Sequence, residues 1–291
     1  MTIIKTNKMK KTFLAVAALL IGLTAAARPG GNISISNDTL LILKSANVTM
    51  TVDIQHVAKV ISIKYNESEF LAQHVPAKGW FNNPNDFGST FWPAPQSEWN
   101  WPPIATYDKN AYSIKLEKKA AVLSSGKDEK YPYIFHKTFK VGKAPGTFII
   151  EYCIENAGDK PVSVAPWEIT RVPGGGVMSF AAPKESVRPA EELKFEYADG
   201  IVSIPYVADP QGNHKIFADS KGWLSFEKDG LKLTKSFEDI TTAEAAPGED
   251  ELEIYVNRGT TFIELENQGK YKTLQSGEKL VWTVEWKLEK K

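Results

Sequence analysis

Residues 48–54 read VTMTVDI, and apolar and polar side chains alternate at every position. A period of two places alternate side chains on opposite faces, which is typical of a half-buried β-strand. The pattern recurs along the chain. Further strands are predicted at residues 40–43, 60–65, 112–116, 133–139, 147–155, 200–205, 223–227, 231–234, 252–256, 261–266 and 280–288. Short strands separated by Gly, Asn and Asp turns, without a convincing amphipathic helix, predict an all-β fold of large antiparallel sheets packed face to face.

The first 27 residues show the succession of charged, apolar and small residues that is typical of a secretory signal peptide. Four lysines precede an apolar run at residues 12–23, which ends in small residues before Arg28. The run is too short to cross a bilayer, which needs about twenty apolar residues. We therefore expect a signal peptide over residues 1–27, a single domain over residues 28–291 without a membrane span, and a periplasmic or secreted protein.

Composition narrows the classes of partner. Removing residues 1–27 leaves 31 of the 35 Lys and Arg residues against 35 Asp and Glu residues, a net charge of −4. A mildly acidic chain argues against nucleic acid as a partner. Cys153 is the only cysteine, so no internal disulfide can form. The fold must be held by a hydrophobic core, for which the chain is long enough.

Residues 79–103 are the first candidate for a binding site, because they hold four of the eight tryptophans. These four are Trp80, Trp92, Trp99 and Trp101. Five prolines fix φ and remove backbone donors, so we expect a loop throughout this stretch. Long ordered loops are usually functional. Flat rings that stack on a pyranose, with Gln96 beside them to meet hydroxyls, would form the wall of a sugar site. In the alternative, the tryptophans cover a large β-core and contact no ligand.

Two later strands carry candidate acids. In residues 165–171, alternation puts Trp167 and Arg171 on one face and Glu168 on the other. In residues 262–267, Glu264 and Glu266 share a face. A carboxylate beside aromatic rings on a sheet is a candidate general base or an acceptor for sugar hydroxyls. The alternative is a solvated strand residue, and this applies more to Glu266 than to Glu264.

The sequence predicts no metal or cofactor. The four histidines are His56, His74, His136 and His214. Their spacing matches no zinc motif. No phosphate-binding glycine loop and no GxSxG nucleophile motif is present.

Three segments carry a resemblance to known proteins. They are GSTFWPAPQSEWNWPP at residues 88–103, NAGDKPVSVAPWEITRVPGGG at residues 156–176, and NRGTTFIELENQGKYKTLQSGEKLVWTVEWKL at residues 257–288. Together they resemble a family of secreted Bacteroides-type proteins grouped with the galactose mutarotase-like, or aldose 1-epimerase-like, β-supersandwich proteins. The resemblance implies a single twisted sandwich whose concave face binds carbohydrate.

Aldose 1-epimerases of that fold pair a glutamate base on a late strand with a histidine acid. Glu264 falls where the base is expected, but Trp167 and Glu168 stand where the histidine motif should be. The primary expectation is therefore a carbohydrate-binding protein for a mono- or oligosaccharide. Its expected ligand contacts are Trp80, Trp92, Gln96, Trp99, Trp101, Trp167 and Arg171. The alternative is a divergent aldose 1-epimerase-like or other carbohydrate-active enzyme with Glu264 as base and Glu168 as acid.

Overall fold

The computed structural model describes residues 32–73, 87–205, 212–257 and 262–291. The expected signal peptide, His74 and Trp80 lie outside these ranges. The described part contains 21 strands, one short α-helix, α1 (Ala105–Asp108), and two short 3-10 helices, Gln96–Glu98 and Lys184–Ser186. Within these ranges, no helix has the length and apolar character needed to cross a membrane.

The first sheet has eleven strands, here numbered in chain order. They are β1 (Ile33–Ser36), β2 (Leu40–Ser45), β3 (Val48–Asp53), β4 (Lys59–Tyr65), β5 (Ser68–Glu69), β6 (Ser89–Ala94), β11 (Val162–Val172), β15 (His214–Ala218), β18 (Leu252–Val256), β19 (Ile263–Gln268) and β20 (Lys272–Leu274). The main order is β1-β2-β3-β4-β6-β11-β19-β18-β15, with β5 paired to β4 and β20 paired to β11.

The second sheet has ten strands. They are β7 (Ser113–Leu116), β8 (Ala121–Ser124), β9 (Tyr133–Val141), β10 (Thr147–Asn156), β12 (Val177–Ala181), β13 (Glu196–Ala198), β14 (Ile201–Pro205), β16 (Trp223–Lys228), β17 (Leu231–Ser236) and β21 (Lys279–Lys290). Their order is β13-β14-β12-β16-β17-β21-β10-β9-β8-β7. Neighbouring strands are antiparallel, as in the pairing of β10 with β21. The prediction of an all-β fold of large antiparallel sheets is confirmed.

The main hydrophobic core takes side chains from both sheets. Phe91 on β6 in the first sheet stacks on Tyr152 on β10 in the second, with ring centres 4.2 Å apart. Phe135, Phe148 and Trp286 from the second sheet are also fully buried in this core. Burial of each such side chain contributes about 1.5–3 kcal/mol, so the alternating apolar positions account for the packing of one sheet on the other.

Strand β6 corrects the expectation of a loop throughout residues 79–103. It lies between β4 and β11 and includes Pro93, which pairs with Pro166 on β11. A proline inside a sheet normally removes a ladder hydrogen bond. Among the described residues, β6 pairs with β4 at Ser89 alone, so Pro93 interrupts no ladder with β4. At Pro166 the carbonyl accepts from the Gly269 backbone N–H at 3.0 Å, and the missing proline N–H lies between two pairing partners of β11. On β11, pairing with β20 ends at Val164 and pairing with β19 begins at Trp167.

A buried ion pair links the two sheets inside this core. Glu168 on β11 and Lys235 on β17 are fully buried, and their charged atoms lie 2.7 Å apart. The Tyr152 hydroxyl and the Trp286 indole N–H both donate to Glu168, at 2.5 and 3.0 Å. Lys235 also donates to Thr170 at 2.9 Å. Burial lowers the pKa of Lys235, while Glu168 acts in the opposite direction.

We expect Glu168→Gln to lower the free energy of unfolding by about 3–5 kcal/mol, because Lys235 would be left buried without its counterion. Urea unfolding at pH 7 measures this quantity. Glu151→Gln is the matched control, because Glu151 pairs with Lys140 at 3.2 Å in a partly exposed position. The control should change stability by less than about 1 kcal/mol. Equal losses in the two variants would contradict a structural role for the buried pair.

Candidate functional site

The candidate site lies on the face of the first sheet that points away from the second sheet, here called the outer face. Strand β11 shows the division. Its Val164 and Val172 join the main core. Trp167 and Arg171 lie at the alternate positions and line a cavity on the outer face. The period of two in residues 165–171 therefore separates the core from the site.

The strand register brings outer-face side chains from four strands together. Trp92 on β6 lies opposite Trp167 on β11. Arg171 lies opposite Glu264 on β19, and Glu264 lies opposite Tyr255 on β18. Directly opposed residues in antiparallel strands hold their side chains close enough to interact. The sheet itself thus assembles a floor of aromatic and charged groups.

This floor encloses a cavity of about 350 Å³. Six of the residues expected from the sequence line it, namely Trp92, Gln96, Trp101, Trp167, Arg171 and Glu264. Its other lining residues are Lys215, Tyr255, Asn257, Phe262 and Glu266. The volume is that of a small-ligand site, and the mixture of rings with a few polar groups is typical of one.

The tryptophans pack around Trp92, which is buried. Its ring makes edge contacts with Trp99, Trp101 and Trp167 at centre distances of 5.8, 6.4 and 5.6 Å. Its indole N–H donates to Asp108 on α1 at 3.1 Å. These ring contacts and this hydrogen bond set the orientation of the rings in the aromatic wall.

Trp99 is placed differently from its expected role as a ligand contact. It packs against a small apolar cluster on the outer face that includes Trp92, Trp167 and Ala246. Its N–H donates to the Pro93 carbonyl at 2.8 Å. Trp99 does not line the cavity. The alternative in which tryptophans only cover a core therefore describes Trp99, while Trp92, Trp101 and Trp167 line the cavity.

Arg171 is held from several sides. Its side chain is almost fully buried, and Nε lies 2.8 Å from Oε1 of Glu264. Nη1 donates to the Thr90 hydroxyl at 3.2 Å. The guanidinium carbon lies 5.6 Å from the centre of the Trp92 ring. The guanidinium is thus balanced by a carboxylate and stacked on an aromatic ring, which fixes its orientation.

A second cluster of charged side chains is centred on Lys215 of β15. Its ammonium contacts the Glu253 carboxylate and lies 3.2 Å from Oε2 of Glu266. The Trp167 indole N–H donates to the same Oε2 at 3.0 Å. Burial lowers the pKa of Lys215, but the two carboxylates outweigh it and hold that pKa above its usual value. Lys215 therefore carries a positive charge at neutral pH.

The second carboxylate oxygen of Glu266 has no such partner. The residue is only 1 % exposed. Its Oε1 accepts no hydrogen bond from the described part of the chain. A buried acceptor without a donor is costly, and Glu266 lines the cavity, so its carboxylate is a group of the wall with hydrogen-bonding capacity left over among the described contacts.

Glu168 does not reach this cavity. It points into the main core from β11, with Lys235, Tyr152 and Trp286 around it. An acid at Glu168 and a base at Glu264 therefore lie on opposite faces of the first sheet. The alternation in residues 165–171 already implies this separation, because Glu168 cannot share a face with Arg171.

Two features of the site were missed at the level of sequence. Strand β15 was not predicted, because its five residues, HKIFA, begin with two polar side chains. Within it, Lys215 and Phe217 flank the core residue Ile216, and this short alternation was the available signal. The sequence pattern favours a solvated position for Glu266, whereas the structure buries it. Its burial depends on Lys215 and on Trp167, neither of which is near it in sequence.

Comparisons with known proteins bear on the fold. The chain matches no protein-family model and no curated protein sequence. Among solved structures, it is similar to a candidate aldose 1-epimerase from Escherichia coli K12, with a TM-score of 0.61 and 12% identity over 87% of this chain and 99% of that one. A galactose mutarotase-like protein from Lactobacillus casei gives a TM-score of 0.56 and 10% identity, covering 86% and 100%. One from Clostridium acetobutylicum gives 0.56 and 8%, covering 87% and 95%. At these identities the likeness establishes the fold alone, which is that of the galactose mutarotase-like proteins.

Proposed function

We propose that this chain is a carbohydrate-binding protein and that the outer-face cavity is its sugar site. The observation that carries the proposal is the cavity itself, in which Trp92, Trp101 and Trp167 stand beside the Glu266 carboxylate, whose Oε1 accepts no hydrogen bond from the described part of the chain. A sugar can satisfy both the rings and the carboxylate, since its C–H face stacks on aromatic rings and its hydroxyls donate to carboxylates. The carbohydrate-related fold of the structural neighbours supports the same class of ligand.

The charges of the cavity favour a neutral sugar over an acidic one. Arg171 is balanced by Glu264, and Lys215 is balanced by Glu253 and Glu266. The described wall therefore holds no excess positive charge to attract a carboxylate. A uronate near Glu266 would also place two like charges together, which is unfavourable in a partly buried site.

The geometry favours a binding function over a catalytic one in which Glu264 and Glu168 act as base and acid. The two residues of an acid and base pair must both come within hydrogen-bond reach of the same substrate. Glu168 points to the other side of the sheet and is engaged with Lys235. Glu264 lines the cavity, and the variant Glu264→Gln tests its role.

We also propose that the protein is periplasmic or secreted. The support is the sequence order of residues 1–27, where lysines precede an apolar run and small residues. We expect the mature chain to begin near Arg28, because the small residues before it fit a cleavage site. N-terminal sequencing of protein from the native envelope and culture fractions measures this. Recovery of chains that all begin at Met1 or Met9 would contradict export with cleavage.

Glu266→Gln should weaken binding of a neutral sugar by about ten- to a hundredfold, since a hydrogen bond to a charged group is worth about 1.5–3 kcal/mol. Calorimetry against a panel of neutral, acidic and amino sugars measures the affinity. Glu253→Gln is the matched control. Glu253 also contacts Lys215 and is 1 % exposed, but its other oxygen accepts from Gln268 at 3.0 Å and it does not line the cavity.

The control variant should bind the sugar nearly as well as the wild type. If Glu253→Gln weakens binding as much as Glu266→Gln, the effect comes from Lys215 and not from a contact between Glu266 and the ligand. Absence of binding by the wild type to every sugar in the panel would contradict the proposed function itself.

Glu264→Gln separates binding from catalysis, because it keeps the shape of the side chain and removes its basicity. For a binding protein we expect a modest loss of affinity and no anomer exchange above the uncatalysed rate in wild type or variant. NMR of anomer exchange measures the rate. Wild-type acceleration that falls about a hundredfold or more in Glu264→Gln, with binding retained, would instead establish an enzyme.

A further inference from the structure

We propose that Trp101 forms a second sugar subsite at the mouth of the cavity, so that the ligand is an oligosaccharide of at least two units. This inference rests on the proposed sugar-binding function and names its substrate class. The inner subsite is the region of Trp167 and Glu266. The outer subsite is the exposed ring of Trp101 with the neighbouring Gln96.

The exposure of Trp101 is the first observation. Its side chain is 60 % exposed, the highest value among the large hydrophobic residues of the described chain. A single exposed apolar residue needs no explanation by itself. This ring, however, also lines the cavity that Trp92 and Trp167 enclose. It therefore extends the aromatic wall of the cavity outward into solvent.

The ring of Trp101 is also held in place. It contacts the buried Trp92 ring at 6.4 Å with an interplanar angle of 78°. Trp92 in turn is anchored by Asp108. Pro102 and Pro103 follow directly and restrict the backbone. If a side chain is already ordered before binding, less conformational entropy is lost when the ligand binds.

Gln96 supplies polar groups beside this platform. Its backbone N–H donates to Oε1 of Glu249 at 2.7 Å, which fixes the start of the 3-10 helix Gln96–Glu98. Gln96 lines the cavity, and within the described part of the chain its side-chain amide makes no hydrogen bond. An amide offers two donors and one acceptor, which suits the hydroxyls of a sugar stacked on Trp101.

The two subsites are adjacent through Trp92, which contacts both Trp101 and Trp167. A sugar in the inner subsite would meet the carboxylate of Glu266, and the next unit of the same chain would leave the cavity across Trp101. A monosaccharide can fill the inner subsite alone and would leave the outer ring uncovered. The arrangement therefore favours a chain over a single unit.

The test compares neutral hexoses with their disaccharides and trisaccharides, in both α-linked and β-linked forms, by calorimetry. We expect the wild type to bind the disaccharide roughly five- to tenfold more tightly than the monosaccharide, from one added stacking contact. Trp101→Ala should remove most of this ratio, and Trp101→Phe should keep part of it. Tyr197→Ala is the control for loss of an exposed aromatic ring, because Tyr197 is 40 % exposed on β13 of the second sheet.

Tyr197→Ala should leave the ratio unchanged. A wild type that binds monosaccharide and disaccharide with equal affinity overturns the second subsite and leaves the sugar site intact. If Trp101→Ala keeps the wild-type preference for the disaccharide over the monosaccharide, the second subsite is likewise overturned and the sugar site remains. Failure of all the sugars to bind would instead overturn the proposed function on which this inference rests.

Discussion

The burial of strand β11 on both faces is the constraint on which the rest of the structure depends. Nine consecutive residues of this strand, from 164 to 172, are buried. One face meets the second sheet, and the other meets the outer-face cavity. A strand in this position must satisfy polar groups on both sides, because an unpaired buried charge is costly. Glu168 is therefore paired with Lys235 on one face, and Arg171 with Glu264 on the other.

The fold was largely predictable from the sequence, because its signal is local. Residues 48–54 and 147–155 show a period of two within a few residues, and each forms the predicted strand. Strand β6 was not predictable by the same rule. The cost of Pro93 depends on where its neighbouring strands stop pairing, and that information lies in distant parts of the chain.

The site was predictable in part. Aromatic richness marked residues 79–103, and alternation marked the face that carries Trp167 and Arg171. The same alternation places Glu168 on the opposite face, where it pairs with Lys235, so Glu168 cannot act with Glu264 on one substrate. The role of Lys215 could not be derived from sequence, since its effect on Glu266 arises only when β15 and β19 are placed on either side of β18.

The indole N–H groups have a consequence for selectivity. Trp92 donates to Asp108, Trp99 to Pro93 and Trp167 to Glu266, so none of these three groups remains for a ligand. These three rings can therefore contact a ligand only through its shape and its apolar surface. Discrimination among stereoisomers then falls to the charged end of the cavity. Under the proposed sugar-binding function, a sugar epimerised at a carbon that faces the rings is expected to bind, while epimerisation at a hydroxyl that meets Glu266 is expected to weaken binding.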